Sequence, residues 1–222
     1  MKWLGFAVAV IVAAVVLFKA TYPTYTYRYR MTVNVEVDGQ LRSGSSVIEV
    51  RVSKQPRFLA DIPPLEYGVT GEAVYVDLGE HRSVLALLAS GASGQDVDFL
   101  WRIVPSHFKL NLFEDRSLAQ LPTLHGRWEL AQDEFPTFIS FEQPDDPKSA
   151  RRVSENEAVQ ISGQRIRLRG VTIEITDDQV TRGIENRLGW WTISGRPAVT
   201  ALQAAGLRTA ASIDAEFAFR RN

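Results

Sequence analysis

The pattern of apolar residues changes abruptly about twenty residues into the chain. Residues 3–18 form an unbroken apolar run, WLGFAVAVIVAAVVLF, with a lysine on either side of it. Counting on to residue 22 gives about 20 residues, enough for a helix to span a hydrocarbon core of about 30 Å. We therefore predict a transmembrane anchor over residues 1–22 that contacts the lipid bilayer through residues 3–22. Aromatic rings and long cationic side chains favour the membrane interface, which predicts interface positions for Trp3, Lys19, Tyr22 and Tyr25.

A cleaved signal peptide is the alternative interpretation of the same run. Cleavage needs small residues just beyond the apolar stretch, whereas here Phe18 and Lys19 occupy those positions. An uncleaved signal anchor is therefore favoured. The flanking charges do not clearly decide the orientation, but a short tail with one lysine is how exported bacterial anchors begin. We expect a single-pass protein of the bacterial inner membrane whose C-terminal domain is periplasmic.

Small residues recur at four-residue spacing along one face of this predicted helix. They are Gly5, Ala9 and Ala13. Such spacing lets two helices approach closely, so self-association through these residues is one hypothesis. Chance spacing in an Ala/Val-rich span is the other.

Beyond the anchor, strict alternation of apolar and polar residues over residues 25–37 predicts a half-buried strand. Asp38-Gly39 follows, a pair typical of a type I′ hairpin turn, and residues 40–53 return as the second strand. A two-residue turn fixes the register, because a slip of one residue would move every apolar side chain to the wrong face. The predicted pairs are Tyr29 with Ile48, Tyr27 with Val50, Tyr25 with Val52 and Arg28 with Glu49. The small residues 44–46 predict a bulge or the close approach of another element.

The remaining patterns predict an α+β fold, mainly antiparallel β with a few short helices, preceded by the one N-terminal transmembrane helix. The pattern predicts a second hairpin over residues 73–78 and 83–89, and an extended connector over residues 54–71. Residues 96–104 favour a helix that ends at Pro105, with a buried strand as the alternative. Further helices are expected over 154–159 and from Asp177 or Thr181 through Leu188. Residues 213–219 read as a final strand. Residues 23–222 form one β-rich soluble domain, in which two subdomains would meet near residues 90–115.

Charge and composition narrow the class of partner. The chain has 222 residues and a formal net charge of −1, but its first 35 residues carry four basic and no acidic side chains, so the remainder carries −5. An acidic body argues against a nucleic-acid partner, because phosphate binding needs a basic field. Cysteine is absent, which excludes disulfides, thiolate metal sites and a cysteine nucleophile.

The chain contains no established catalytic motif. Its three histidines, His81, His107 and His125, stand in neither a zinc-protease nor a nucleophile-elbow pattern. We therefore predict no catalytic residue, cofactor or metal, and we lean against an enzyme. One alternative is a membrane-anchored hydrolase assembled from scattered His and Asp residues. Another is a domain that binds a small molecule or a lipid.

Two short stretches are candidates for contact with a partner or with the membrane. One is the polar segment after a strong predicted strand, with Asp177, Asp178 and Arg182; acids that only cap a helix are the structural alternative. The other is Trp190-Trp191, because exposed tryptophans are enriched in binding hot spots. Burial of both rings in the core is the alternative for this pair.

Residues 145–153 (DDPKSARRV) and 171–188 (VTIEITDDQVTRGIENRL) resemble a group of uncharacterised membrane-anchored proteins from proteobacteria. The strands YRYRMTVNVEV and GSSVIEVRV resemble the same group, and the likeness covers most of residues 27–191. It implies a bacterial source and a single N-terminal anchor, but no activity and no site residues. The sequence as a whole predicts a membrane-tethered, non-catalytic interaction or scaffolding module of the bacterial cell envelope, with another membrane or envelope protein as its partner.

Overall fold

The computed structural model of the chain describes residues 2–56, 61–79, 82–91, 94–143, 145–154, 157–161, 163–190, 196–207 and 217–221, with the side chains of residues 2, 4, 5 and 161 outside the description. The helices are α1 (Lys2–Thr21), α2 (Phe99–His107), α3 (Asp115–Gln120) and α4 (Arg196–Ala204). The strands are β1 (Thr24–Val37), β2 (Gln40–Lys54), β3 (Leu65–Glu72), β4 (Val74–Gly79), β5 (Arg82–Ser90), β6 (Arg127–Glu129), β7 (Pro136–Phe141), β8 (Ala150–Val153), β9 (Val159–Ile161), β10 (Gln164–Ile175) and β11 (Arg220–Arg221). All the pairings between these strands are antiparallel, so the predicted α+β class is confirmed.

Helix α1 stands apart from the folded body and is followed almost at once by β1. Only Tyr22 and Pro23 separate the two elements. Its described large apolar side chains are exposed, from Trp3 at 88% to Val15 at 50%. Among the residues that the structure describes, no helix combines the length and the apolarity needed to cross a membrane.

The first hairpin has the predicted turn and the predicted register. Asp38 and Gly39 both have positive φ, 48° and 86°, as a type I′ turn requires. Val37 pairs with Gln40, and the four predicted cross-strand pairs all form, including Arg28 opposite Glu49. The alternating pattern was sufficient because only one face of β1 is buried: its odd-numbered residues from Tyr27 to Val37 face the core.

Two antiparallel sheets pack face to face. The larger has the strand order β11-β3-β2-β1-β10-β6, with β9 paired to β10, and the smaller has the order β4-β5-β7-β8. One core lies between the sheets, and a second lies between the smaller sheet and α4 with the C-terminal segment. The smaller sheet is thus covered on both faces, which explains why β5 and β7 read as continuous apolar runs instead of alternating ones.

At Gly44, β2 of the larger sheet comes into close contact with β4 of the smaller sheet. A Cβ atom at this position would collide with the carbonyl oxygen of Tyr75 on β4. The neighbouring Ser46 is buried and donates a hydrogen bond to the carbonyl of Glu72, at 2.7 Å. The predicted close approach of another element at residues 44–46 is therefore confirmed, and β4 is that element.

Several predicted elements were wrong. The expected connector over 54–71 contains β3, in which two glycines, Gly68 and Gly71, interrupt the apolar alternation. The helix expected to run through Val159 does not reach that residue, which belongs to β9. Ser154 does accept a hydrogen bond from the backbone N–H of Glu157, and residues 155 and 156 lie outside the description. Residues 177–188 form no α-helix and are irregular, with one 3₁₀ turn at Ile184–Asn186, because backbone groups of this segment bond to Glu72 and to β2. Most of the expected strand over 213–219 lies outside the described residues.

Helix α2 closes the end of the core at which β1 begins. It starts at Phe99 and continues to His107, so the prediction that Pro105 ends it was wrong. A proline at this position leaves the carbonyl of Trp101, four residues earlier, without its intrahelical donor. The buried hydroxyl of Tyr27 donates to that carbonyl at 3.0 Å. This tertiary hydrogen bond is the reason that the helix tolerates the proline.

Tyr29 makes a similar hydrogen bond to α2, but its contribution to stability should be smaller. Tyr29 donates to the carbonyl of Leu100 at 3.0 Å, but that carbonyl also accepts the ordinary helix bond from Val104. Burial raises the pKa of both phenols well above the usual value. Both hydroxyls therefore act as permanent donors at the end of the core.

We expect Tyr27→Phe to cost more stability than Tyr29→Phe. The first change leaves a buried carbonyl with no donor, which costs about 1–3 kcal/mol, whereas the second removes one of two donors and costs about 0.5–1.5 kcal/mol. Urea unfolding of the full chain, followed by circular dichroism, measures both.

A double-mutant cycle tests the reason itself. Pro105→Ala restores a backbone N–H that can reach the Trp101 carbonyl, so Tyr27→Phe should cost less in the Pro105→Ala background than in the wild type. Equal costs in the two backgrounds would contradict this explanation.

Candidate functional site

After β10 the chain crosses the outer face of the larger sheet, and residues 176–183 form this crossover segment. It begins where Thr176 donates a backbone hydrogen bond to the carbonyl of Arg28, at 3.1 Å. The Arg28 guanidinium donates to the carbonyl of Asp177, and the carboxylate of Asp178 forms an ion pair with Arg30. Both arginines are even-numbered residues of β1 and therefore lie on the face opposite the core. The Asp177 carbonyl and the Asp178 carboxylate thus hold this segment against the sheet.

The far end of the crossover segment fills a gap in the larger sheet. Strand β3 pairs with β2 only as far as Glu49, which leaves the edge of Val47 free of β3. Thr181 takes the place of a strand there. Its backbone N–H donates to the Val47 carbonyl at 3.1 Å, and its hydroxyl accepts from the Val47 N–H at 2.8 Å.

Glu72 fixes the point at which the crossover segment enters the second core. Its side chain is buried, and its two carboxylate oxygens accept hydrogen bonds from the backbone N–H groups of Gly183, at 3.0 Å, and Ile184, at 2.9 Å. Gly183 has a φ of 110°, a conformation that favours glycine. Ile184 then packs into the core behind the smaller sheet. One carboxylate therefore connects β3 with a segment more than a hundred residues later.

Opposing effects act on the ionisation of Glu72. Burial is the largest effect and raises its pKa above the usual value, and the nearby Glu185 acts in the same direction. The two backbone hydrogen bonds and the charge of Arg220 lower the pKa, but by less. Arg220 lies opposite Glu72 in the β3–β11 pair and also contacts Glu185 at 3.3 Å. Glu72 is therefore a carboxylate held by specific backbone donors at a net desolvation cost.

A recess of about 330 Å³ opens beside Glu72, and we call it the Glu72 recess. Its exposed rim carries charges of both signs, Asp77 on one side and Arg182 and Arg187 on the other. The Arg187 guanidinium lies 5.0 Å from the centre of the Tyr75 ring, within reach of a cation–π contact. The floor consists of small residues of β2, including Ser43, Gly44 and Ser45. Such a surface suits a polar partner that carries complementary charges.

The predicted contact residues are divided between structural and accessible positions. Asp177 and Asp178 are exposed, but they belong to the crossover segment that is bound to β1. Arg182 is exposed and lines the Glu72 recess. Trp190 is buried, packed 5.5 Å from the ring of Phe141, so its proposed contact role is corrected to a core role. Trp191 lies outside the described residues.

The predicted membrane-interface residues lie around α1. Trp3 and Lys19 are exposed, and the ring of Tyr22 is 5.0 Å from that of Phe18. Tyr25 is half-buried against the core between the sheets. Ala9 and Ala13 are exposed on α1, while the side-chain position of Gly5 lies outside the description.

The two histidines that the structure describes, His107 and His125, have different surroundings. His107 stacks on Trp128 with the ring centres 3.9 Å apart. His125 borders a separate recess of about 250 Å³, together with Thr26, Arg28 and Asp177. His81 lies outside the described residues. Within the described ranges, no three His, Asp or Glu side chains are placed to hold a metal ion.

Sequence reasoning named Arg182 but missed Glu72, the residue at the centre of the recess. One signal was available: Glu72 is a single acid within the otherwise uncharged run YGVTGEAVYV. A charged residue inside a buried strand implies a specific partner. Its partners, however, are backbone groups more than a hundred residues away, and no local pattern identifies those.

Comparisons of the chain with protein-family models, with curated proteins and with solved structures found no match. The likeness to the proteobacterial membrane-anchored group therefore stays a prediction.

We expect Glu72 to make stability depend on pH. Because its folded-state pKa is raised, the folded state holds the proton more tightly than the unfolded chain does. Stability from this residue is full below the ordinary pKa and declines as pH rises through the raised one. Glu72→Gln removes this dependence. It also leaves one of the two backbone N–H groups without an acceptor, which costs about 1–3 kcal/mol.

Urea unfolding of both proteins from pH 4 to pH 8 measures the effect. The stability of the wild type minus that of Glu72→Gln should be greatest at acidic pH and should fall towards neutral pH. A margin that grows as pH rises would contradict the raised pKa.

Proposed function

We propose that this protein is a membrane-tethered, non-catalytic interaction or scaffolding module, with α1 in the bilayer and the β body held directly above it. The single observation that carries this proposal is the surface of α1. Its exposed apolar residues include Trp3, Phe6, Val8, Val16 and Phe18. At about 100° per residue these positions fall on every face of the helix. A helix apolar on all faces needs an apolar surrounding.

The short junction between α1 and the body supports a tether that holds the body next to the membrane, without a flexible linker. Two residues separate α1 from β1, and β1 is the strand that pairs with both β2 and β10 in the larger sheet. The backbone N–H of Lys54 donates to the carbonyl of Pro23 at 3.1 Å, which fixes the junction to β2 as well. The body is therefore held close to the end of α1.

The bacterial inner membrane, a periplasmic body and self-association through Gly5, Ala9 and Ala13 belong to the same proposal. The membrane assignment depends on the whole segment from Trp3 to Tyr22. It includes Leu4 and Gly5, whose side chains lie outside the described residues.

The surface that we propose for the partner is the Glu72 recess. It is lined by the half of β2 that leads from the hairpin turn, on the side of the sheet remote from the start of β1. A partner in the envelope can reach it without displacing lipid. Its mixed charges and the Tyr75–Arg187 contact suit a polar protein surface.

Vesicle flotation tests the tether. We expect the full chain to float with phosphatidylcholine vesicles, and Val12→Lys to reduce the floated fraction, because a lysine at the centre of a membrane helix costs about 2.5–3.5 kcal/mol. Leu41→Lys is the matched control, since it adds the same charge at an exposed position beyond the first hairpin turn. If wild type and Val12→Lys both remain in the aqueous fraction, the tether proposal fails.

Affinity capture from detergent-solubilised membranes of the source bacterium tests the partner surface. Replacing both Arg182 and Arg187 by alanine should lower the yield of a co-purified protein by about tenfold, as expected for the loss of two rim charges worth together about 1.4 kcal/mol. Arg165→Ala, an exposed arginine outside the recess, should leave that yield unchanged. Equal yields from all three proteins would remove the Glu72 recess from the proposal.

A further inference from the structure

Phe113 is the most exposed large apolar side chain on the described part of the folded body. It is 74% exposed and lies in the turn between α2 and α3. One exposed aromatic ring is common on protein surfaces, so its meaning depends on how it is held and where it lies.

The turn holds the ring outward. The Asn111 side chain accepts a hydrogen bond from the backbone N–H of Phe113 at 3.2 Å, and it donates to the Glu114 carboxylate at 2.9 Å. The backbone N–H of Glu114 also donates to the carbonyl of Asn111, at 3.0 Å. Neighbouring Leu112 is buried and anchors the loop to the core. The fixed backbone therefore presents Phe113 to its surroundings.

The turn lies at the end of the body from which α1 departs. The Lys54 ammonium contacts the carboxylate of Asp115 at 2.8 Å, and the backbone of the same Lys54 bonds to Pro23, two residues after α1 ends. Phe113 is two residues from Asp115, at most about 7 Å along the backbone. A chain of direct contacts thus connects the tip of the turn with the exit of the helix.

The charges around Phe113 fit a lipid headgroup layer. Lys109 and Arg116 are exposed on either side of the turn and can meet phosphates. Asp115 is paired with Lys54, which leaves Glu114, itself bonded to Asn111, as the other acid of the turn. An aromatic ring flanked by cations is the arrangement found where proteins touch a membrane interface.

We propose that Phe113 inserts into the interface of the bilayer that holds α1, so that the body contacts the membrane at a second point. This inference rests on the proposed tether. Two contacts would restrict the tilt of the body, because rotation about the short Tyr22-Pro23 junction would pull the ring out of the lipid. The Glu72 recess would then face away from the bilayer in a fixed orientation.

Single-cysteine labelling of the full chain tests the proposal, and the natural chain contains no cysteine that would interfere. Three variants, Phe113→Cys, Leu41→Cys and Val12→Cys, each receive the same environment-sensitive fluorophore and are reconstituted into phosphatidylcholine vesicles. Leu41 is the matched control, because it is also an exposed apolar residue, 66% exposed, but lies beyond the first hairpin turn. Val12 reports on α1. Each label is challenged with iodide in the water and with a nitroxide quencher carried on the lipid chains.

We expect the label at residue 113 to be quenched by the lipid-borne nitroxide and to be quenched by iodide roughly threefold or more slowly than the label at residue 41, as for a group at the depth of an interfacial anchor. If the label at residue 12 is quenched from the lipid while that at residue 113 behaves like residue 41, the second contact is refuted and the tether stands. If the label at residue 12 is itself accessible to iodide, the tether fails, and the second contact fails with it. Substitution at an exposed position changes stability by about 0.5 kcal/mol or less, and circular dichroism verifies that each variant is folded.

Discussion

The structure depends on the pairing of β1 along both of its edges. With β2 on one side and β10 on the other, β1 is an inner strand of the larger sheet, and its odd-numbered side chains supply the layer on which the smaller sheet packs. The same strand follows α1 after two residues. Whatever holds α1 therefore holds the centre of the sheet rather than a flexible end. Pairing on both edges also removes the register freedom that an isolated hairpin would have.

The second constraint is the route by which the chain leaves the larger sheet. The crossover segment carries the chain over the outer face of β1 and β2 and into the core behind the smaller sheet. It has little apolar surface of its own, so its backbone bonds to Val47 and Glu72 and its ion pair with Arg30 hold it in place. Burying a carboxylate costs free energy because the charge loses its contact with water. The Glu72 carboxylate, however, accepts hydrogen bonds from two backbone N–H groups at once. The Glu72 recess lies where this crossing comes close to β2 and β4.

Local pattern was enough for some parts of this fold and not for others. The first hairpin and its register were predicted from alternation, because one face of β1 is buried and the turn type was encoded in Asp38-Gly39. The course of residues 177–188 was predicted as a helix, since capping acids and apolar spacing were both present. Its backbone N–H groups instead donate to Glu72 and Val47. Contacts between residues so far apart in the sequence produce no periodic pattern. Pro105 was misjudged for the same reason, because the donor that rescues the helix is Tyr27.

The position of the candidate surfaces along β1 bears on how such a module can act. Its 14 residues extend roughly 45 Å at about 3.4 Å per residue. The α2 cap and the Phe113 turn lie at the end nearest α1, and the Glu72 recess lies towards the other end. With a junction of two residues, the height of the recess above a membrane would be set by the length of the sheet and not by linker entropy. A partner that binds there would be held at a defined distance from the bilayer, whereas a long flexible linker would hold it only at a defined local concentration. Positional control of this kind needs no catalytic residue, and the rigidity of the larger sheet is what would provide it.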